Sequence, residues 1–288
     1  MQTENKENRR NIILAIFGSI AAIGAIMFIY DHYRYISTDN AMVMGAATLL
    51  SPKVGGIISK AYVNENEKVK SGQILLEINS DDYKNAVAHA ESERDSLAAQ
   101  LKGAQLNYNR VNKLLKQGAS TQEHFDMAES QYSSLQRKLQ SAEAQVAQAK
   151  LNLSYTKVAA PSDGKVGKKS FEVGMLAAPG QPLIGFVAGD ERWVVANLKE
   201  TDMDLISVGK EVYVKVDAIP GKTFLGSVES ISPATGATFS LLPPDNATGN
   251  FTKVVQRVPV RIKLSNLTEH DVDHLQSGLS ADVKVKVH

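Results

Sequence analysis

The segment from Asp82 to Tyr155 carries the most regular apolar pattern in the chain. In each half, apolar residues recur at alternating steps of three and four positions, an a/d heptad pattern of about four heptads. The first seam contains Val87, Ala90, Leu97, Leu101, Ala104, Tyr108, Val111 and Leu115, with Arg94 at one position; the second contains Phe125, Ala128, Tyr132, Leu135, Leu139, Ala142, Val146, Ala149 and Leu153. Stripes this narrow, with polar outward faces, predict two helices that pack on each other rather than on a globular core.

The two seams mirror each other about the stretch Gln117–Ser120. The mirrored pairs are Leu115 with Phe125, Tyr108 with Tyr132, Leu101 with Leu139, and Val87 with Leu153. This symmetry predicts an antiparallel coiled-coil hairpin over residues 81–155, with arms roughly 50 Å long. Gly118 supplies a permissive backbone for the turn, and Ser120 or Thr121 caps the second helix.

A second apolar pattern lies near the N-terminus. The run from Ile12 to Tyr30 contains no charged residue and follows Lys6, Arg9 and Arg10. It is long enough to cross a hydrocarbon layer of about 30 Å. A cleaved signal peptide would have a shorter core and a small-residue cleavage site, so we predict an uncleaved transmembrane helix over 12–30. The basic flank places residues 1–11 in the cytoplasm and the rest of the chain outside.

Short β-type runs precede and follow the predicted hairpin. Residues 46–80 and 156–188 share a punctuation of turns, as in Gly72-Gln73-Ile74-Leu75 and Gly180-Gln181-Pro182-Leu183. Half a sandwich cannot bury its apolar face alone. The repeat therefore predicts one small domain made of two halves, from whose middle the hairpin grows.

The last third of the chain is again rich in short strands. Residues 37–45 and 189–288 are predicted to form a small β-barrel domain. A loop rich in Pro, Asn and Gly interrupts it. We expect this loop to contact a partner protein or another copy of the chain through Phe239, Leu241, Leu242, Pro243 and Asn246. Exposed apolar residues of this kind more often mark an interface than an isolated loop.

These elements together resemble the HlyD-like membrane fusion proteins, or periplasmic adaptors. The split repeat resembles a biotinyl/lipoyl-type barrel-sandwich domain, with the hairpin replacing the turn that holds the cofactor lysine in carrier proteins. The loop around Phe239 to Val260 is similar to that of the EmrA-type multidrug efflux adaptors. The resemblance implies an elongated α+β fold with a transmembrane helix, a lipoyl-like domain, a coiled-coil hairpin and a β-barrel.

The resemblance also implies a docking site at the hairpin tip. Arg110, Leu114 and Thr121 fall where the family has an Arg, a Leu and a Ser, and Gly118 lies in the turn between them. In the family these residues dock onto a TolC-like outer-membrane channel. Thr121 departs from the family serine but keeps the hydroxyl. The alternative is a solvated Arg110 and a Thr121 that only caps a helix.

Composition and motifs narrow the chemistry. The net charge of +1 gives no bulk field for nucleic acid, and the absence of cysteine excludes thiol catalysis and disulfides. No nucleophile elbow, phosphate-binding loop or zinc-protease motif is present. His270 and His274 are four residues apart, but without a third ligand they are interpreted as solvated loop residues. We expect no enzyme activity, no cofactor and no metal.

The resemblance implies an adaptor of a tripartite efflux pump, anchored in a bacterial inner membrane with its bulk in the periplasm. Its expected partners are an inner-membrane transporter of the major-facilitator type, a TolC-like channel, and further copies of itself in a ring of about six. An adaptor of an ABC-type exporter of peptides or proteins is the alternative. An anchored coiled coil with no transporter also remains open.

Overall fold

The computed structural model describes residues 34–236, 238 and 254–287. They form two compact units, one of residues 47–188 and one of the described parts of 1–46 and 189–288. Strands β1 (Tyr35–Leu50) and β8 (Ile184–Lys199) each contribute residues to both units. The predicted span at 12–30 lies outside the described residues, and within them no helix has the length and hydropathy needed to cross a membrane.

The unit of residues 47–188 contains a barrel-sandwich domain. Its strands are β2 (Gly56–Ala61), β3 (Lys68–Val69), β4 (Ile74–Ile78), β5 (Lys157–Ala159), β6 (Gly164–Lys169) and β7 (Leu176–Ala177), together with the first part of β8. One sheet has the order β5-β4-β2-β7, and β6 pairs with both β3 and β8. Ile58, Leu75, Val166 and Phe186 are among the buried apolar side chains of its core.

The internal repeat predicted from the sequence is visible in the hydrogen bonds. The Gln73 side chain accepts from the Lys70 N–H at 3.0 Å, and the Gln181 side chain accepts from the Ala178 N–H at 3.1 Å. Two equivalent backbone bonds also join the halves, and each residue of one bond lies 108 positions from its counterpart in the other. Ile58 N–H donates to Met175 O, and Val166 N–H donates to Glu67 O, both at 2.9 Å. The two halves therefore form one domain related by a pseudo-twofold axis.

Two long helices connect the halves of this domain. Helix α1 covers Asp81–Lys116 and α2 covers Gln122–Ser154, and the two pack against each other. Helix α1 is preceded by Ser80. Asp81 and Asp82 lie in its first turn, where carboxylates interact favourably with the positive end of the helix dipole. Ser80 is the N-cap residue, and its side chain makes no capping hydrogen bond.

The described part of the second unit forms a β-barrel. Besides β1 and β8 it contains β9 (Glu211–Val216), β10 (Thr223–Ile231), β11 (Arg257–Leu264), β12 (Ser280–Lys286), a 3-10 helix (Glu200–Leu205) and helix α3 (Glu269–His274). Among the described residues six strands have the order β1-β12-β9-β10-β11-β8, and β1 also pairs with β8, which closes the sheet. Alternating residues such as Val212, Val214, Val283 and Val285 fill its interior.

The segment around His270 and His274 corrects the sequence interpretation. It is helix α3 rather than a loop, and a capping box between Thr268 and Asp271 begins it. Asp271 is buried and forms an ion pair with Lys222. This pair, with the Thr268 N–H and hydroxyl, lowers the pKa of Asp271 to about 2. A contact between residues 49 positions apart therefore stabilises a helix whose own sequence is short and polar.

Candidate functional site

The arms of the hairpin hold its tip in a defined register. The rings of Tyr108 and Tyr132 are stacked, with their centroids 5.5 Å apart and their planes at 14°. The centroids of the Tyr108 and Phe125 rings are also 5.5 Å apart. Further from the tip, Lys150 and Glu91 form a 2.7 Å ion pair across the arms. Aromatic pairs in such geometry stabilise the packing beyond the area they bury. The Tyr108–Tyr132 pair agrees with the register predicted from the mirrored seams.

The turn between the helices is built on Gly118 and Thr121. Gly118 has φ +70°, a region that residues with a Cβ seldom adopt, and the N–H of Ala119 donates to Leu114 O at 2.9 Å. Thr121 is the N-cap of α2, and its hydroxyl accepts from the His124 N–H at 3.4 Å. The capping prediction for Thr121 is therefore confirmed, and its hydroxyl remains on the exposed side of the turn.

Arg110 and Leu114 lie on the outer surface of α1, off the seam. Leu114 is 37% exposed, whereas its neighbour Leu115 belongs to the seam and is half-buried. The Arg110 side chain is exposed and makes no hydrogen bond or ion pair with any other residue in the described part of the chain. Its guanidinium is free to make forked bonds to carboxylates or carbonyl oxygens of a partner.

Sequence reasoning missed one residue of this surface. Leu106, 58% exposed, lies four positions before Arg110, so Leu106, Arg110 and Leu114 form one stripe along α1. We call these three residues the tip stripe. Its signal was the spacing of four on a face otherwise rich in Lys, Gln and Asn. The stripe combines apolar side chains at both ends with a cation between them, which suits a groove with apolar walls and acceptor oxygens.

The base of the hairpin is attached to the barrel-sandwich domain by both arms. From α1, the Tyr83 hydroxyl donates to Gly55 O at 2.7 Å. After α2, Thr156 is fully buried and its carbonyl accepts from the Ile78 N–H at 2.8 Å. The Lys53 ammonium lies 4.4 Å from the Tyr155 ring, a cation–π contact. Both arms of the hairpin are therefore bonded to the barrel-sandwich domain at the end opposite to the tip.

Of the two other predicted sites, the structure describes the histidine pair but not the loop. The loop residues Phe239, Leu241, Leu242, Pro243 and Asn246 lie outside the described residues. The His270 and His274 rings stack at 4.1 Å, and His274 Nδ1 lies 2.8 Å from His270 O. Within the described ranges, no group of three or more His, Asp or Glu side chains is placed to hold a metal ion.

Comparisons with known proteins agree with this architecture. Residues 47–187 match the family described as "RND MFP, barrel-sandwich hybrid domain". Residues 192–239 match the family described as "CusB-like, beta-barrel domain". The two matches cover the split domain with its hairpin and the first part of the barrel.

Similar proteins match over nearly the whole length. The chain is 33% identical to the colistin resistance protein EmrA of Acinetobacter baumannii, over 98% of this chain and 96% of that protein. It is 31% identical to the multidrug export protein EmrA of Haemophilus influenzae, over 98% and 85% of the two chains. The membrane fusion protein Spr0693 of Streptococcus pneumoniae R6 superposes with a TM-score of 0.66 at 18% identity, over 88% and 99%, which shows a shared fold.

Proposed function

Because the chain belongs to the HlyD-like membrane fusion protein family and is of its EmrA type, we propose that it is the periplasmic adaptor of a tripartite multidrug efflux pump. In this proposal residues 12–30 anchor it in the inner membrane. The β-barrel and barrel-sandwich domains contact a transporter of the major-facilitator type. The hairpin reaches a TolC-like outer-membrane channel.

The observation that carries the proposal is the two-helix hairpin with its exposed tip stripe. Helix α1 contains no fully buried side chain, and α2 buries only Ala128, Leu135, Ala142 and Val146. A pair of helices with so little buried surface is not the core of a domain. It is a spacer about 50 Å long by helix geometry, which presents Leu106, Arg110 and Leu114 at its far end.

The adaptor works through binding, and the transporter supplies the energy. One hairpin cannot enclose a conduit, so we propose a ring of about six copies around the export path. The tip stripe and Thr121 would then meet the channel at several equivalent grooves. Weak individual contacts become strong when they are made together on one rigid assembly.

The test replaces two of the three residues of the tip stripe by aspartate. The double variant Arg110→Asp with Leu114→Asp is expected to lose drug resistance in a strain lacking the native adaptor, with protein level and membrane fraction unchanged. Lys102→Asp with Leu151→Asp is the matched control, because it makes the same change of charge at exposed positions away from the tip. If the tip variant retains wild-type resistance, or the control is equally defective, tip docking is wrong.

A second measurement addresses the transporter. The chain purified in detergent is expected to retain a polytopic carrier from the inner membrane, identified by mass spectrometry. Recovery of an ATP-binding cassette protein instead would assign the chain to an ABC-type exporter. Recovery of the channel with the wild type and its loss with the tip variant would separate channel docking from transporter binding.

A further inference from the structure

Exposed apolar side chains are concentrated at one end of the β-barrel. Strand register defines this end: Tyr35 at the start of β1 pairs with Lys286 at the end of β12, and Arg257 at the start of β11 pairs with Lys199 at the end of β8. The Thr38 hydroxyl donates to Asn197 O at 3.1 Å, which joins the two pairs at the same end.

Four apolar residues at this end form what we call the barrel rim. They are Leu205, Val208, Val254 and Val255, each between 48% and 66% exposed. Leu205 and Val208 belong to the connection from β8 to β9, and Val254 and Val255 precede β11. The Glu200 N–H donates to Gln256 O at 3.0 Å, which ties the two segments together.

The rim is not a by-product of core packing. In the connection from β8 to β9, Ile206 is buried and Met203 packs against the barrel core. Leu205 and Val208 alternate with them and point away from that core. Packing of the core therefore accounts for Met203 and Ile206, whereas Leu205 and Val208 are exposed on the surface of the barrel. Exposed clusters of this kind mark a surface that meets an apolar partner.

The path of the chain identifies this partner. Only residues 31–33 separate the predicted span, which ends at Tyr30, from Arg34. Four Cα steps reach at most about 14 Å. Arg34 O accepts from the Val287 N–H at 3.0 Å, and Val287 O accepts from the Lys210 ammonium at 2.9 Å. Val208 is two residues from Lys210, so the rim lies close to the place where the chain leaves the membrane.

The aromatic residues at this end also suit a membrane interface. The rings of Tyr35 and Tyr213 meet edge to face at 5.9 Å on the outer wall, and the Arg34 guanidinium lies 5.7 Å from the Tyr35 ring. Tyrosine is enriched at the headgroup level of bilayers, where its ring is buried and its hydroxyl hydrated. Basic and acidic groups alternate nearby, as in the Lys286–Glu211 ion pair, so apolar insertion rather than net charge would hold this surface.

We propose that the barrel rim inserts into the headgroup region of the inner-membrane leaflet that faces the periplasm. This inference rests on the proposed membrane anchor and goes beyond it. The anchor fixes the barrel at one point, whereas the rim would fix its orientation. Apolar faces of this type enter the boundary of headgroups and acyl chains by about 5–10 Å. The partner is a lipid bilayer, and no specific headgroup is required.

The experiment uses the full chain in nanodiscs of phosphatidylcholine, with no transporter present. Because the chain has no cysteine, one introduced cysteine can be labelled alone with an environment-sensitive fluorophore. Val208→Cys and Val254→Cys test the rim. Thr223→Cys is the control. Thr223 is exposed and lies at the start of β10, at the end of the barrel opposite to the rim.

The labels at 208 and 254 are expected to emit at shorter wavelength and to be quenched by nitroxide lipids, unlike the label at 223. Adding phosphatidylglycerol should leave the shift unchanged. Leu205→Asp with Val255→Asp should return the label at 208 to an aqueous spectrum, which excludes insertion driven by the dye. A water-like label at 208 in a chain that stays with the disc overturns the proposal and leaves the anchor intact.

Two other outcomes also overturn the proposal. If the label at 208 is shielded only after an inner-membrane transporter is added, the rim is a protein interface. If the chain does not stay with the nanodisc after alkaline carbonate, the anchor itself fails, and the barrel has no reason to meet lipid. Drug resistance of the tip variants is measured separately, so it does not depend on the rim.

Discussion

Leu135 gives the sharpest test of the hairpin as a self-supporting element. It is 5% exposed, and its burial comes from the packing of α2 on α1. Leu135→Ala removes three carbon atoms, which at about 0.8 kcal/mol per buried methylene gives a loss of about 2.4 kcal/mol. Water can reach the sides of a two-helix seam, so we expect the lower end of the range of about 2–5 kcal/mol for such substitutions.

The assay is native-state hydrogen exchange of the full chain. A loss of about 2.4 kcal/mol raises the local opening equilibrium roughly 60-fold, because about 1.36 kcal/mol is a factor of ten. This acceleration should appear in amides of α1 and α2 but not in β4, since Leu135 is not part of the barrel-sandwich core.

The matched control is Leu151→Ala on the same helix. Leu151 is 43% exposed, so the same deletion should cost about half as much in transfer free energy and raise exchange by roughly tenfold or less. If both variants exchange alike, or if Leu135→Ala exchanges like the wild type, the seam does not stabilise the hairpin. A compact bundle would instead spread the effect over the whole unit.

Three further predictions concern single sites. Thr121→Ala should destabilise the start of α2 by about 0.5–1 kcal/mol, while Thr121→Ser should not; equal exchange rates in the first turn would contradict the cap. The Asp271–Lys222 pair should stabilise the barrel fully at pH values above the ordinary aspartate pKa of 3.8, and this stabilisation should disappear as the pH falls to about 2. The free energy of unfolding of Asp271→Asn should therefore depend less on pH in this range than that of the wild type. The same pH dependence in both proteins would show that the pair does not stabilise the barrel. Gly164→Ala would place a Cβ 2.5 Å from a buried phenylalanine ring and should cost about 1–3 kcal/mol in urea unfolding, whereas Gly103→Ala, with open space around it, should be neutral or stabilising.

The sequence predicted the parts of the fold that depend on periodicity. The stacking of Tyr108 on Tyr132 follows from two heptad seams that mirror each other about a short turn, because the turn after Lys116 leaves the arms only one register in which to pair. The repeat of Gly72-Gln73 at Gly180-Gln181 likewise indicated a shared turn. Both glycines have positive φ, at +76° and +79°. Local chemistry repeated at a fixed offset therefore encodes the pseudo-twofold axis.

Other features depend on contacts that no local pattern contains. Helix α3 is six residues long and polar, and its stability comes from the pairing of Asp271 with Lys222. Leu106 occupies an outward position of α1, where its spacing of four from Arg110 is a weak signal beside the heptad seam. Only its exposure, together with Arg110 and Leu114 on the same stripe, shows that it contributes to a surface rather than to the seam.

The hairpin has different constraints at its two ends, and this difference suits a connecting element. At the base, bonds from Tyr83 to Gly55 and from Ile78 to Thr156 hold both arms to the barrel-sandwich domain. At the tip, the tight turn at Gly118 joins the arms, and the apolar side chains of the stripe face outward. A motion of the barrel-sandwich domain would therefore move the whole hairpin, because the ion pair and the stacked rings between the arms resist sliding of one helix past the other. A channel bound to the tip stripe would then be displaced with the hairpin, without any chemical step in this chain.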